Sequence, residues 1–300
     1  MVIPYVREMA FEYGRADRVS PLIRRVVAQN PGPFTYLGTG TYIVGAREVA
    51  VIDPGPADKT HLDALLEALA GCTVRAILIT HDHADHAPLA ADLARRTEAP
   101  VLGARPTPSR QAEKPGMEEG SAPSYRPDRV LEDGETVSGP DWSLTTLATP
   151  GHTANHLCFA LREENALFCG DHVMGWSTTV IVPPGGSMTD YYASLRRVIA
   201  GGYDILWPTH GPPITEPGPF LDAYLEHRLK REAQILELLS RGPANIPQML
   251  SRLYMGLDPR LHRAASASLL AHLIHLIKTG AVAADGPPGA DQAFRVIAPS

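Results

Sequence analysis

Apolar positions along this chain change their period several times, and each change marks a new element. FTYLG (34–38), TYIVG (41–45) and EVAVID (48–53) alternate or run apolar between glycines, which predicts a β-meander over 34–53. In KTHLDALLEALAG, Leu62, Leu65, Leu66 and Leu69 fall at helical spacing and Gly71 ends the helix. VRAILIT (74–80) has the length and composition of a buried strand, and Pro88 suits the first turn of a helix that continues through LAADLARR. VLG (101–103), WSLTTLAT (142–149) and both halves of NHLCFALREENALFCGD (155–171) read as strands, the last pair turning at Glu163, Glu164 and Asn165. TDYYASLRRVIAGG is helical, and YDILWPTHG is a strand that ends on a histidine.

A long amphipathic helix is predicted from about Phe220 to Ser240, broken by RGPANIP. A short helix (Pro247–Tyr254), a longer one (about Pro259–Lys278) and two short strands, AVAAD and AFRVI, follow. Three helices and a two-stranded wing outline a winged-helix module. The division expected is therefore 1–216 for a strand-rich domain and 217–300 for the linking helix and this module. Residues 104–128, rich in Pro, Gly, Ser and charge and without a period, read as a long surface loop near the site.

The 300 residues carry a net charge of −6, so no global positive field gathers nucleic acid. The first residues lack the order of a secretory signal, and no apolar run approaches the roughly 20 residues that span a bilayer. Cys72, Cys158 and Cys169 are odd in number and set among apolar neighbours, as free thiols are. The expectation is a soluble, cytoplasmic protein with no membrane partner.

Candidate chemistry gathers at strand ends. ITHDHADHAP places His81, His83, Asp85 and His86 directly after an apolar strand. His152 in TPGHT, Asp171 in CGDH and His210 in PTHG each follow another. Strand ends converge on one rim in sheet-based folds. Imidazole nitrogen and carboxylate oxygen are the ligands of a divalent-metal site, and seven such groups suit two ions. His81 and His83, two apart in a loop, can face one metal; Asp85 and His86, at the start of the next helix, can face a second. A capping role for Asp85 and His86 is the plainer alternative.

THDHADH, TPGHT, GDH and THG, in this order after VIDPG, resemble the motifs of the metallo-β-lactamase superfamily over about residues 34–212. The resemblance implies a four-layer αββα sandwich (α/β, α+β) with two metals, zinc first and manganese or iron as alternatives, at one edge. It implies that His81, His83 and His152 hold one metal, that Asp85, His86 and His210 hold the other, and that Asp171 bridges them. Asp53 would then orient the metal loop from behind. His172 is expected at the rim rather than as support, and His156 either supports a ligand or faces its strand neighbours. The pattern departs at Ala87-Pro88, where small residues, often glycine, are usual.

GWSTTVIVPPGGSMTDYYASLRRV, THGPPI and YLEHRLKREAQILELL further resemble the β-lactamase-like protein 2 group, whose animal member is a mitochondrial endoribonuclease. This implies a metal-bridging hydroxide acting on a phosphodiester of single-stranded RNA, with Asp85 orienting it or taking its proton. A glyoxalase II-like thioester or a lactone is the alternative substrate. Ser177, Thr178 and Thr179 could line the substrate cleft, and His227, Arg228 and Arg231 could hold an anion. A solvated helix face, with Arg228 paired to Glu232, is the plainer reading of that helix. The C-terminal module carries Arg252, Arg260, Arg263, Lys278 and Arg295 against Asp258, Asp285 and Asp291, which speaks against specific DNA binding. A lid or a homodimer-forming module is preferred to a DNA-binding regulator with a metal sensor.

Overall fold

The computed structural model describes residues 2–107, 120, 122 and 125–297. Two mixed sheets stack face to face. The first holds β1 (Ala16–Arg18), β2 (Ile23–Val27), β3 (Gly40–Val44), β4 (Glu48–Ile52), β5 (Thr73–Ile79), β6 (Val101–Gly103) and β7 (Arg129–Val130) in sequence order, antiparallel as far as β4 and parallel beyond it. The second holds β8 (Thr136–Ser138), β9 (Ser143–Ala148), β10 (Leu157–Leu161), β11 (Ala166–Gly170) and β12 (Ile205–Pro208). Its β11 and β12 run parallel, with the helix α3 between them in the chain.

Helices α1 (Lys59–Ala68) and α2 (Ala90–Thr97) cover the outer face of the first sheet, and α3 (Met188–Gly201) and α4 (Pro217–Ser240) cover that of the second. This is the expected four-layer αββα sandwich. Between the sheets lie Tyr42, Trp142, Phe159 and Phe168, all buried. Loss of one such ring costs about 3–5 kcal/mol, so the inter-sheet core fixes how the two rims face each other. Asp58 caps α1 by accepting from the Thr60 N–H, and Ser187 caps α3 at the Asp190 N–H.

α4 belongs to two cores. Phe220 and Tyr224 pack with α3, whereas Ile235, Leu238 and Leu239 pack with α5 (Ile246–Leu253), α6 (His262–Lys278) and the strand pair β13 (Val282–Ala284) and β14 (Phe294–Val296). Leu269, Leu273 and Leu276 form the buried stripe of α6. A full capping box between Asn245 and Gln248 starts α5.

Three expectations need correction. FTYLG is a turn rather than a strand: Tyr36 has φ 56°, and a Cβ on Gly38 would lie 2.1 Å from the Ala28 carbonyl oxygen. The sheet instead begins earlier, with β1 and β2, whose short charged sequences ADR and IRRVV hid them. Asp85, His86 and Pro88 lie in turns before α2, which starts at Ala90, so neither ligand candidate caps a helix. The cysteines are free, as expected. Among the described residues, no helix is long and apolar enough to cross a membrane. Much of the 104–128 loop lies outside the described residues. Its described part packs beside the metal-loop candidate: the Ala122 N–H donates to Asp82 O (2.6 Å) and the Ala84 N–H to Gly120 O (3.0 Å).

Candidate metal centre

β4 and β5 are parallel neighbours, as are β11 and β12, so their C-terminal ends share one rim. Asp53, the 80–86 loop, Asp171 and His210 leave from those four ends, and the turn before β10 brings His152 and His156. Cross-sheet bonds close the rim: the Leu157 N–H donates to Thr80 O (2.7 Å) and the Gly40 N–H to Thr209 O (2.8 Å).

All seven ligand candidates converge. His81, His83 and His152 form one triad, Asp85, His86 and His210 a second, and Asp171 joins His81 and His86 in a third. Within each triad the ligand atoms lie within 4.8 Å of one another. His81 Nε2 lies 2.9 Å and His152 Nε2 3.3 Å from His83 Nδ1. His210 Nε2 lies 3.0 Å from Asp85 Oδ2 and 3.4 Å from Asp171 Oδ1. His86 Nε2 is 3.4 Å from Asp85 and 3.6 Å from Asp171.

The other ring nitrogens decide which atoms face inward. His152 Nδ1 lies 2.8 Å from Val180 O and His210 Nδ1 3.3 Å from Gly38 O, so each must carry its proton there. His86 Nδ1 donates to Asp53 Oδ2 at 2.9 Å. The Thr80 hydroxyl donates to Asp53 Oδ2 (2.7 Å), which leaves its lone pair for His81 Nδ1–H at 3.1 Å. Four Nε2 atoms therefore point into the site, the arrangement in which metal-binding imidazoles are held.

The charges agree with a cation site. Burial holds His81, His83 and His152 down, reinforced at His81 and His83 by neighbouring imidazoles, with His83 lowered to about 3. Burial also opposes charge on His86 and His210. There the carboxylates outweigh it, raising His86 well above its ordinary value and His210 to about 10. Asp85 and Asp171 are pushed up by burial, yet His86 and His210 hold both well below the usual carboxylate range. Buried His86 Nε2 and Asp171 Oδ1 have no hydrogen-bond partner. The residues present fit metal ions, and the cluster is compatible with two.

Asp53 stands behind the ligands. Besides His86 and the Thr80 hydroxyl it accepts from the Thr80 N–H (2.8 Å) and the Thr209 hydroxyl (3.1 Å). His156 is placed as a support: its Nε2 accepts the Asp171 N–H at 3.1 Å while Nδ1 faces the Thr149 hydroxyl at 2.8 Å. His172 is not at the rim. It is 0% exposed, its ring packs 4.9 Å from Tyr191, and neither ring nitrogen has a partner. The motif following it turns inward under α3, which no local signal announces. Four further acceptors and anchors carry no motif that marks them in the sequence. Thr80, Val180 O and Gly38 O orient imidazoles, and Asp82, inside HDHADH, accepts from the Thr107 N–H (2.9 Å) and hydroxyl (2.7 Å).

The six substrate candidates meet elsewhere. Ser177, Thr178, Thr179, His227, Arg228 and Arg231 all line one cavity of about 260 Å³ between the 176–180 segment, α4 and α6. Its wall is continuous with the metal rim, since Val180 both lines it and binds His152. Arg228 does not pair with Glu232. It is buried and donates to Thr179 O, while Glu232 accepts from the Tyr192 hydroxyl (2.8 Å) and faces His272 Nδ1 (3.1 Å). Thr179 is itself buried, its hydroxyl reaching the carbonyls of Asp171 (2.8 Å) and His172 (3.0 Å).

Comparison with known proteins agrees with this geometry. Residues 36–210 match the metallo-β-lactamase superfamily and 246–289 the β-lactamase-associated winged helix domain. A β-lactamase-like protein 2 homolog of Caenorhabditis elegans is 33% identical over 227 residues, covering 74% of this chain and 72% of that one. An atrochrysone carboxyl ACP thioesterase of Aspergillus terreus is 32% identical over 229 residues, covering 75% and 66%. The crystal structure of a metallo-β-lactamase family protein from Thermus thermophilus superposes with TM-score 0.75 at 26% identity, covering 93% of this chain and all of that one. The chain belongs to the metallo-β-lactamase superfamily, as a hydrolase that carries a winged-helix module after its metal-site domain.

Proposed function

We propose that the protein is a dinuclear zinc hydrolase whose substrate is a carboxylic thioester or lactone. His81, His83 and His152 would hold one ion, Asp85, His86 and His210 the other, and Asp171 both. When bound, the metals supply an acidified water and polarise the electrophilic oxygen. The protein's own part is to keep four imidazoles in one tautomer through Asp53, Thr80, Val180 and Gly38, and to exclude bulk water around Asp85. Asp85, ionised at the rim, takes the proton of the attacking water and returns it to the leaving group.

The observation that carries the acyl reading is the cavity. About 260 Å³ walled by Phe34, Leu257, Leu261 and Ala264 accommodates a small acyl body. A polynucleotide instead needs a basic track, and this chain has a net charge of −6. The similar Aspergillus terreus protein named as a thioesterase supports the same choice. Single-stranded RNA is the second reading, favoured by the likeness to β-lactamase-like protein 2.

Zinc-loaded protein should be given an acyl N-acetylcysteamine thioester and, in parallel, end-labelled single-stranded RNA, each with Asp85→Ala as control. Thioester turnover that the substitution and a chelator both abolish is the expected result. RNA cleavage alone, lost in the same control, would replace the first reading by the second. Turnover indifferent to chelation would refute the metal mechanism itself.

A further inference from the structure

Arg228 is a buried cation without a buried anion. It is 4% exposed, it forms no ion pair with a carboxylate among the described residues, and its Nε–H has no hydrogen-bond partner. What holds it is one donation to Thr179 O and the faces of Tyr191 (5.2 Å) and Tyr224 (5.9 Å). Aromatic faces and a carbonyl compensate a guanidinium only in part; a buried charge normally has a counter-ion. Arg228 also lines the cavity whose wall reaches the metal rim.

We infer that this cavity is an anion subsite, and that it takes a carboxylate carried on an apolar body, with Arg228 as its counter-ion. The neighbouring groups set the charge it matches. Arg231 is already engaged, donating to Leu253 O (3.0 Å) and lying 4.2 Å over the Tyr254 ring. His227 is neutral near pH 7, since burial and then Arg228 and Arg231 push it down to about 4. One guanidinium without a counter-ion suits a monoanion, and planar donors suit a carboxylate. Phe34, Leu257, Leu261 and Ala264 supply the apolar wall for the rest. Calling the ligand a substrate rests on the hydrolase reading; the binding itself does not.

Trp176 lines the same cavity and reports on it directly, whereas Trp142 and Trp207 are buried between the sheets. The metal-loaded 300-residue chain should be titrated with hexanoate, hexan-1-ol and inorganic phosphate while tryptophan fluorescence is followed, with Trp176→Phe to identify the signal. Hexanoate should bind at least roughly ten-fold more tightly than hexan-1-ol, the size of one charge-assisted hydrogen bond. Arg228→Gln should erase that preference with metal content unchanged. If Arg228→Gln does not fold, Arg231→Gln becomes the probe. Arg231→Gln should weaken hexanoate about three-fold through the lost positive charge. Equal response to acid and alcohol would overturn the subsite, as would parent binding in a folded Arg228→Gln or, failing that, in Arg231→Gln. Phosphate binding tighter than hexanoate would overturn the carboxylate assignment. Since the readout is binding, inactive protein that selects hexanoate sinks the hydrolase reading alone, and active protein that ignores it sinks the subsite alone.

Discussion

Replacing Asp53 by Asn changes one atom and almost no volume, yet it should cost the site a metal ion. Asp53 has φ 48°, a conformation that Asn tolerates as well as Asp, so the backbone can stay where it is. Its carboxylate accepts four hydrogen bonds: Oδ1 from the Thr80 N–H, and Oδ2 from Thr80 Oγ1, Thr209 Oγ1 and His86 Nδ1. An amide must place its NH₂ on one side or the other. Against the Thr80 N–H it makes a fixed donor–donor contact at 2.8 Å. On the other side the two hydroxyls can rotate to accept, and His86 can accept at Nδ1 only by moving its own proton to Nε2. That proton would then occupy the lone pair that faces Asp85, His210 and Asp171. Loss of such a partner behind a metal-binding histidine weakens metal affinity by about 10–100-fold, or about 1.4–2.7 kcal/mol. His81, His83 and His152 feel the change only through Thr80, so the weakening should be confined to the ion at Asp85, His86 and His210. Competition between the protein and a chromophoric zinc chelator resolves the two affinities: the parent should hold two ions and Asp53→Asn one tightly and one weakly. Two ions held with parent affinity, or loss first from the His81 triad, would refute the tautomer argument.

Other consequences are as definite. His81→Ala or Asp171→Ala should bring bound metal well below the parent stoichiometry, as elemental analysis would read. Gly151→Ala should destabilise by about 1–3 kcal/mol and loosen the His152 position, because a Cβ there would sit 2.5 Å from Tyr191 Cα at a φ of 149°; unchanged urea midpoint and metal content would contradict this. His61 is buried and held down to about 4 by desolvation, against an unfolded value near 6.5. Between those values the unfolded chain takes up the proton and the folded one does not. Its contribution is therefore full above pH 6.5 and lost as pH falls towards 4, by up to about 1.4 kcal/mol per pH unit, and His61→Gln should flatten that slope in urea titrations. Leu273→Ala, in the core of the C-terminal module, should cost about 2–5 kcal/mol while metal stoichiometry stays at the parent value.

Elements with a long, strong period were legible. The stripes of α1 and α3 and the apolar runs of β5, β10 and β11 stand where their patterns put them, because burial on one side dictates the spacing. β1 and β2 were not, since ADR and IRRVV carry charge on residues that tertiary neighbours accommodate: Arg25 is 4% exposed within a strand. α2 starts two residues beyond Pro88, which is equally at home in the turn that presents Asp85 and His86.

The site divides along the same line. A metal ligand has to be one of a few side-chain types, and sheet-based folds bring strand ends to one rim, so seven candidates spread over 130 positions of sequence still point to one place. The groups that orient those ligands carry no such signature. Val180 O and Gly38 O are backbone carbonyls that any residue would supply, and only the close approach of the 176–180 segment and the Gly38 turn makes them specific. The two histidines next in line, His156 and His172, look alike in sequence; one braces the Asp171 amide and the other lies unpaired under Tyr191. Arg228 shows the limit most clearly. Its spacing to Glu232 is that of an exposed ion pair, and the pair fails to form because α3 and α6 bury both residues and hand Glu232 to Tyr192 and His272. Packing thus turns a routine surface cation into a buried charge without a counter-ion, and the desolvation of a charge so placed is fully offset only when something anionic comes to meet it.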